Sequence, residues 1–123
     1  YAALLRRLRA NREPVVYAPI YNRGIEESVG SALPVRQDIE VVITEGNYLL
    51  LDDRPWTDAA AVLDQTWYLD LDDDLRLSRL IARHEQVGKA PEAARAWVDS
   101  VDRPNAQVIA ATRHRATLAI EVW

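Results

Sequence analysis

The chain has 123 residues, a formal net charge of −4 at pH 7, and 49% hydrophobic residues. This composition supplies enough apolar side chains for one domain or a large piece of one, and it lacks the basic balance typical of nucleic-acid-binding proteins. The absence of cysteine excludes disulfides and thiolate metal sites. Because no apolar run approaches the roughly 20 residues of a membrane-spanning helix, we expect a cytoplasmic protein that binds neither membrane nor nucleic acid.

The first third of the chain is predicted to contain a helix, a strand and a long loop. Residues 2–10 place three leucines on one helical face and arginines largely outside it. Residues 15–18 have the pattern of a short buried strand. Residues 19–38 contain two prolines, two glycines and several charges, which favours a loop. Loops of that length inside compact domains are often functional.

The middle of the chain is predicted to alternate strands and helices. Residues 40–44 (EVVIT) form a β-branched run that is typical of a parallel strand buried on both faces. A short helix is expected at 56–63 and a strand at 66–70. Three consecutive aspartates then favour the start of a long helix at 72–87, since carboxylates stabilise a helix N-terminus.

The last third adds two helices, at 91–101 and 104–114, and a final strand at 117–122. Strands separated by helices predict an α/β fold with a mainly parallel sheet and flanking helices. We therefore expect the strands at 15–18, 40–44, 66–70 and 117–122 to lie parallel in one sheet.

The segment that follows the predicted strand at 40–44 is the first candidate site. Glu45 stands at the end of that strand and is followed by Gly46 and Asn47. In an open α/β sheet, ligands bind outside the carboxyl ends of the strands. A carboxylate there could hold magnesium or orient a hydroxyl group. The alternative is an ordinary turn with a hydrogen-bonded carboxylate.

The helix at 72–87 is the second candidate site because Arg76, Arg79 and Arg83 recur at a spacing that places them on one face. The four-residue step from Arg79 to Arg83 would let two guanidinium groups converge on one polyphosphate. The alternative is a solvated face paired with the neighbouring acidic residues. A zinc site is not predicted, since the two histidines are 30 positions apart, at 84 and 114.

A third candidate site lies in the predicted loop. Tyr21, Asn22 and Arg23 follow directly from a strand end and could bind a small polar substrate. Ordinary loop structure is the alternative explanation for the same residues.

Taken in order, these segments resemble the superfamily of P-loop kinases that contains uridine kinase, phosphoribulokinase and pantothenate kinase, and in particular its nucleoside/nucleotide kinase family branch. The resemblance covers nearly the whole chain. The matching positions are Pro19, Tyr21, Asn22 and Arg23 of a P-x-(Y/F)-(D/N)-(H/R) loop, the EGNYLL segment at 45–50 with Trp56 after it, Asp70 at a strand end, Arg79, Arg83 and His84 of an R-x-x-x-R-H helix, and Asn105, Ile109, Arg115 and Ala116 of a final helix.

The resemblance implies a P-loop NTPase three-layer fold in which residues 1–123 are the C-terminal part of a single kinase domain, with a lid-like helical region at about 72–102. It implies transfer of phosphate from ATP, with Mg²⁺, to the hydroxyl of a small metabolite such as a nucleoside or sugar. The implied roles are catalysis by Glu45, Arg79 and Arg83, metal binding by Glu45, acceptor binding by Tyr21, Asn22 and Arg23, and nucleotide binding by Arg83, Arg113 and Arg115.

The chain also departs from the family pattern. No G-x-x-x-x-G-K-[ST] sequence occurs in it, and the resemblance places this phosphate-binding loop upstream of Tyr1. Because phosphoryl transfer depends on that loop, its lysine and magnesium, we expect residues 1–123 to be inactive alone. Missing neighbouring strands would expose apolar surface, so self-association as a homo-oligomer is expected. The rival interpretation is a non-catalytic α/β interaction module.

Overall fold

The computed structural model describes all residues from 1 to 123, which form two separately packed units, Tyr1–Leu63 and Asp64–Trp123. The first unit contains α1 (Ala2–Ala10), β1 (Val15–Asn22), β2 (Glu27–Arg36) and α2 (Trp56–Ala60). The second contains β3 (Trp67–Leu71), α3 (Asp73–Gln86), α4 (Pro91–Trp97), a π-helical turn (Val98–Asp102), α5 (Arg103–Ala110), a 3₁₀ turn (Arg113–Arg115) and β4 (Leu118–Val122).

Helix α1 confirms the prediction for residues 2–10. Its leucine face buries Leu5, and α1 contacts α2, where Ala59 is buried. The helix ends at Asn11, which adopts a left-handed conformation with φ 48° and donates its backbone N–H to the carbonyls of Arg7 and Leu8. Asparagine tolerates this conformation better than most residues and is therefore a common helix terminator.

The prediction of a long loop at 19–38 is wrong, because β1 and β2 form an antiparallel hairpin across this region. The loop-favouring residues are accommodated by irregularity in the pairing. The register shifts between Ala18 and Ile20, leaving Pro19, which has no N–H to donate, outside the regular ladder. On β2, Ser31 has a positive φ of 54° beside Gly30. The hairpin also contradicts the prediction that residues 15–18 join a parallel sheet.

The strand predicted at 40–44 is also absent. These residues form no regular secondary structure, and Val41 and Ile43 are 71% and 85% exposed. A strand needs a neighbour to satisfy its backbone N–H and C=O groups, and no strand pairs with this segment. The β-branched composition indicates β propensity, but the segment has no strand to pair with. A four-stranded parallel sheet therefore does not form.

Strands β3 and β4 do pair in parallel, with Trp67 opposite Leu118 and Leu71 opposite Val122. The pairing begins at two threonines, where the backbone N–H of Thr117 donates to Oγ1 of Thr66 over 3.1 Å. The predictions for 66–70 and 117–122 are confirmed to within one residue. A parallel pair flanked by helices confirms the α/β class.

Among the helices between these strands, α3 lies within one residue of its predicted bounds, whereas α5 ends at Ala110 rather than at residue 114. The side chain of Asp72 accepts a hydrogen bond from the backbone N–H of Leu75 over 3.0 Å, which starts α3. Gly88, with φ 97°, follows its end. Residues 113 and 114, expected at the end of an α-helix, belong instead to the 3₁₀ turn Arg113–Arg115. None of the helices has both the length and the apolar character needed to cross a membrane.

A π-helical turn joins α4 to α5, so residues 91–110 form one helical run. Pro104 explains the position of this turn, because proline removes the bond to the carbonyl four residues earlier and clashes with it. That carbonyl belongs to Ser100, which lies within the turn. The same run buries Ala94 and Val98, and α3 contacts both α4 and the turn.

Candidate functional site

Helix α3 carries three arginines, of which one is paired with an aspartate and two are not. Arg76 donates from Nη2 to Oδ1 of Asp73 over 2.9 Å. Arg79 and Arg83 are exposed, and their side chains have no hydrogen-bond or ion-pair partner. Only the first arginine therefore fits the alternative of a face neutralised by the acidic residues. The other two leave their guanidinium donors available to a ligand on the same side of the helix.

The 3₁₀ turn places a further arginine at the carboxyl end of β3. Nε of Arg113 donates to Oδ2 of Asp70 over 2.7 Å. Both side chains are partly exposed, so the pair fixes the guanidinium without hiding it. Arg115 belongs to the same turn, and its backbone N–H donates to the carbonyl of Thr112. The position at a strand terminus is where open α/β folds bind ligands.

Glu45 lies in the first unit, in the segment that precedes α2. It is exposed and its carboxylate has no hydrogen-bond or ion-pair partner. A Cβ at the neighbouring Gly46 would lie 3.3 Å from Cγ of Leu49, so a larger residue there would require the leucine side chain to shift. The rings of Tyr48 and Trp56 are 5.9 Å apart, which explains why a tryptophan follows the EGNYLL segment. This packing holds the segment that presents Glu45.

The predicted acceptor-binding residues lie at the tip of the hairpin. Tyr21 and Asn22 end β1, and Arg23 follows in the turn. Oδ1 of Asn22 accepts a hydrogen bond from the backbone N–H of Gly24 over 2.9 Å, so this side chain stabilises the turn while its amide donors remain free. Tyr21 is 59% exposed, and Arg23 is exposed without a partner.

The chain contains no group of three or more His, Cys, Asp or Glu residues that could hold a metal ion. A magnesium ion needs no such group, since it keeps several waters and often binds one or two carboxylates together with substrate phosphates. The exposed carboxylate of Glu45 is one donor of this kind.

The sequence did not reveal the hydrogen-bond partners of His84 and Arg113. Asp102, which bonds His84, is 18 positions away, and Asp70, which bonds Arg113, is 43 positions away. No local spacing rule links residues at these separations, so only the packing of the elements could identify them.

Known proteins are similar to this chain in sequence and in structure. An ATP-dependent kinase-like protein from Aspergillus versicolor is 34% identical over 96 residues, which are 76% of this chain and 56% of that protein. A candidate uridine kinase of Schizosaccharomyces pombe is 31% identical over 84 residues, 68% of this chain and 36% of that protein. The crystal structure of a candidate fructose transport system kinase from Silicibacter sp. TM1040 matches with a TM-score of 0.81 and 30% identity, over 97% of this chain and 59% of that one.

The chain belongs to the uridine kinase-related superfamily of P-loop kinases. This confirms the resemblance drawn from the EGNYLL and R-x-x-x-R-H segments. The chain spans about half the length of the Aspergillus versicolor relative and of the Silicibacter kinase. No protein-family model matches it.

Proposed function

We propose that the full-length protein to which these residues belong is an ATP-dependent kinase that phosphorylates the hydroxyl of a small metabolite such as a nucleoside or sugar. The observation that carries the proposal is the pair of exposed, unpartnered arginines on α3, Arg79 and Arg83. The names of the relatives, which include an ATP-dependent kinase-like protein and a candidate uridine kinase, support the same reaction class.

Phosphoryl transfer suits this arrangement because the protein contributes positioning and charge stabilisation rather than covalent chemistry. The planar fork of arginine binds phosphate oxygens in pairs. Arg79 and Arg83 need not break an existing ion pair before they bind phosphate. In the proposal, Arg83 contacts the phosphates of ATP and Arg79 adds charge to the transferring group.

Arg113 and Arg115 are proposed to border the nucleotide base. The bond from Asp70 orients the Arg113 guanidinium, and a planar guanidinium can stack on an aromatic ring. Removal of Asp70 should therefore weaken nucleotide binding through Arg113 without removing any group that touches the nucleotide.

Glu45 is proposed to serve the magnesium ion or the acceptor hydroxyl. Magnesium, when bound with ATP, would supply charge neutralisation at the phosphates. The exposed carboxylate of Glu45 is free to ligate the ion or to accept a hydrogen bond from the hydroxyl. Tyr21, Asn22 and Arg23 are proposed to bind the acceptor with the phenol, the free amide donors and the guanidinium.

Residues 1–123 are proposed to be part of a single kinase domain, with residues 72–102 acting as a lid. This region includes α3, α4 and the π-helical turn. A phosphate-binding G-x-x-x-x-G-K-[ST] loop elsewhere in the full-length protein would complete the site, so residues 1–123 alone should not turn over ATP.

The test is an ADP-release assay of the full-length protein with a panel of nucleosides and sugars. The proposal predicts acceptor-dependent ADP release, and Glu45→Gln should lower kcat by about 10-fold or more, since it removes a charge used in the transition state. Glu40→Gln is the matched control, because Glu40 is also exposed and lies in the same segment. A full-length protein that lacks the phosphate-binding loop and releases no ADP would favour the interaction module instead.

A further inference from the structure

A polar contact joins α3 to the helical run that follows it. Nε2 of His84 lies 2.8 Å from Oδ2 of Asp102 in the π-helical turn. The two side chains are 15% and 22% exposed, whereas Arg103 and Asp99, which pair in the same part of the helix, are 49% and 64% exposed. Because an ionised carboxylate only accepts hydrogen bonds, Nε2 carries the proton in this contact.

Two further side chains surround the contact. The ring of Trp97 meets the His84 ring edge-on, with 6.4 Å between centroids. Nζ of Lys89 lies 4.4 Å from the centroid of the Trp97 ring, within the range of a cation–π interaction. Lys89 follows Gly88 just after α3, so the ring of Trp97, at the end of α4, contacts both a side chain of α3 and the segment that follows α3.

The π-helical turn sets the position of Asp102. Ala94, Val98 and Asp102 follow one another at four-residue spacing, and the first two are buried. A π-helical turn bonds residues five apart and is wider than an α-helical one. Residues four positions apart in this turn are therefore rotated less from one another around the helix axis than in an α-helix. This keeps Asp102 on the side of the helix that α3 contacts.

We propose that His84 and Asp102 are positioning residues that fix the C-terminal half of α3, and with it Arg83, against the π-helical turn. Arg83 directly precedes His84, so any rotation or fraying of this helix turn moves both side chains together. The contact between His84 and Asp102 belongs to the fold. Its consequence for phosphate binding rests on the proposed kinase function.

The contact is tested first by hydrogen–deuterium exchange on the full-length protein. In His84→Ala, amides of residues 80–87 and 97–103 should exchange about 5-fold faster or more, because local opening becomes easier, while amides of β3 and β4 keep their rates. Asp99→Ala is the matched control, since it removes an exposed pair from the same turn without touching α3. Unchanged exchange in α3 would overturn the proposal. Asp102→Ala, which removes the acceptor, serves the same test if His84→Ala does not fold.

The consequence is tested by steady-state kinetics on the same variants. His84→Ala should raise the KM for ATP by about 10-fold, since displaced binding groups lose much of their effect. His84→Gln should restore most of the affinity, because its amide N–H can still donate to Asp102. If Arg83→Ala impairs turnover but His84→Ala does not, the positioning role is overturned. If the wild-type protein releases no ADP, the kinase proposal fails, and the exchange rates still decide whether the contact holds α3.

Discussion

Helices α1 and α3 each carry three arginines, yet they use them differently. In α1 all three are engaged: Arg6 with Asp58 at 3.9 Å, Arg7 with Glu13 at 2.7 Å, and Arg9 with the carbonyl of Val62 at 3.2 Å. In α3 only Arg76 is paired. The arginine content of a helix therefore says little by itself, and these two helices differ in how many of their arginines have an intramolecular partner.

The difference has a simple physical origin. Acidic side chains reach α1 from α2 and from the connection that follows α1. On α3 the aspartates are concentrated in the first turn, where they stabilise the helix N-terminus. Asp73 is three positions from Arg76 and can pair with it, but Glu85 is two positions from Arg83 and faces elsewhere. Arg79 and Arg83 are thus left without a partner by the position of the acidic residues in the sequence.

The largest expected effect is a difference in turnover between arginine variants of α3 and of α1. In the full-length protein, Arg83→Ala should lower kcat by roughly 10²-fold or more, comparable with the loss of one preorganised donor. Arg83→Lys should recover only part of this loss, since lysine lacks the bidentate fork. Arg7→Ala, the control on α1, should keep normal turnover. A normal kcat in Arg83→Ala together with a small decrease in Tm would mean that α3 presents only a solvated face.

The next effect concerns stability and should be larger in α1. Leu5 is buried between α1 and its neighbours, so Leu5→Ala should lower the free energy of unfolding by about 2–3 kcal/mol. No residue of α3 is fully buried, and Leu80→Ala should cost less. Chemical denaturation of both variants checks this order. An equal or greater loss for Leu80→Ala would show that α3 is packed more tightly than its exposure indicates.

A smaller effect is expected at Arg76, the paired arginine of α3. Its ion pair with Asp73 is largely exposed on the aspartate side, so Arg76→Ala should change the free energy of unfolding by about 0–1 kcal/mol. Turnover should fall far less than in Arg83→Ala. Kinetics and melting curves recorded side by side check this. A lower kcat in Arg76→Ala than in Arg83→Ala would contradict the comparison.

The smallest effect is the acid dependence of the α1 pair. Hydrogen bonds from the Arg7 guanidinium lower the pKa of Glu13 below its ordinary range. A carboxyl with a lowered folded-state pKa contributes stability at neutral pH that is lost as pH falls through that pKa. Glu13→Gln should therefore flatten this part of the stability profile slightly. An unchanged acid limb in thermal melts would show that the pair contributes nothing measurable.

Local chemistry made the second unit predictable. The aspartates before α3, the glycine after it, and the β-branched and aromatic runs of β3 and β4 are signals carried by adjacent residues, and each gave an element within about a residue of its observed bounds. The α/β class and the arginine positions on α3 followed from the same signals.

Pairing between segments that are distant in the chain could not be predicted from adjacent residues. The hairpin depends on β2, whose Gly30 and Pro34 imitate a loop, and the run at 40–44 has strand composition but no neighbour to pair with. The partners of His84 and Arg113 depend on packing across 18 and 43 positions. The bond that Asn22 accepts from the backbone N–H of Gly24 depends on the turn conformation, which the residue types alone do not specify.

The most direct test of the account compares two double variants that lose the same charge. Binding of tripolyphosphate to the full-length protein is measured by calorimetry for Arg79→Ala/Arg83→Ala and for Arg6→Ala/Arg7→Ala. The account predicts that the α3 variant loses about 10-fold or more in affinity, because unpaired forks bind phosphate directly, while the α1 variant binds like the wild type. Equal losses in both variants, or no loss in the α3 variant, would contradict the claim that unpartnered arginines mark the phosphate site.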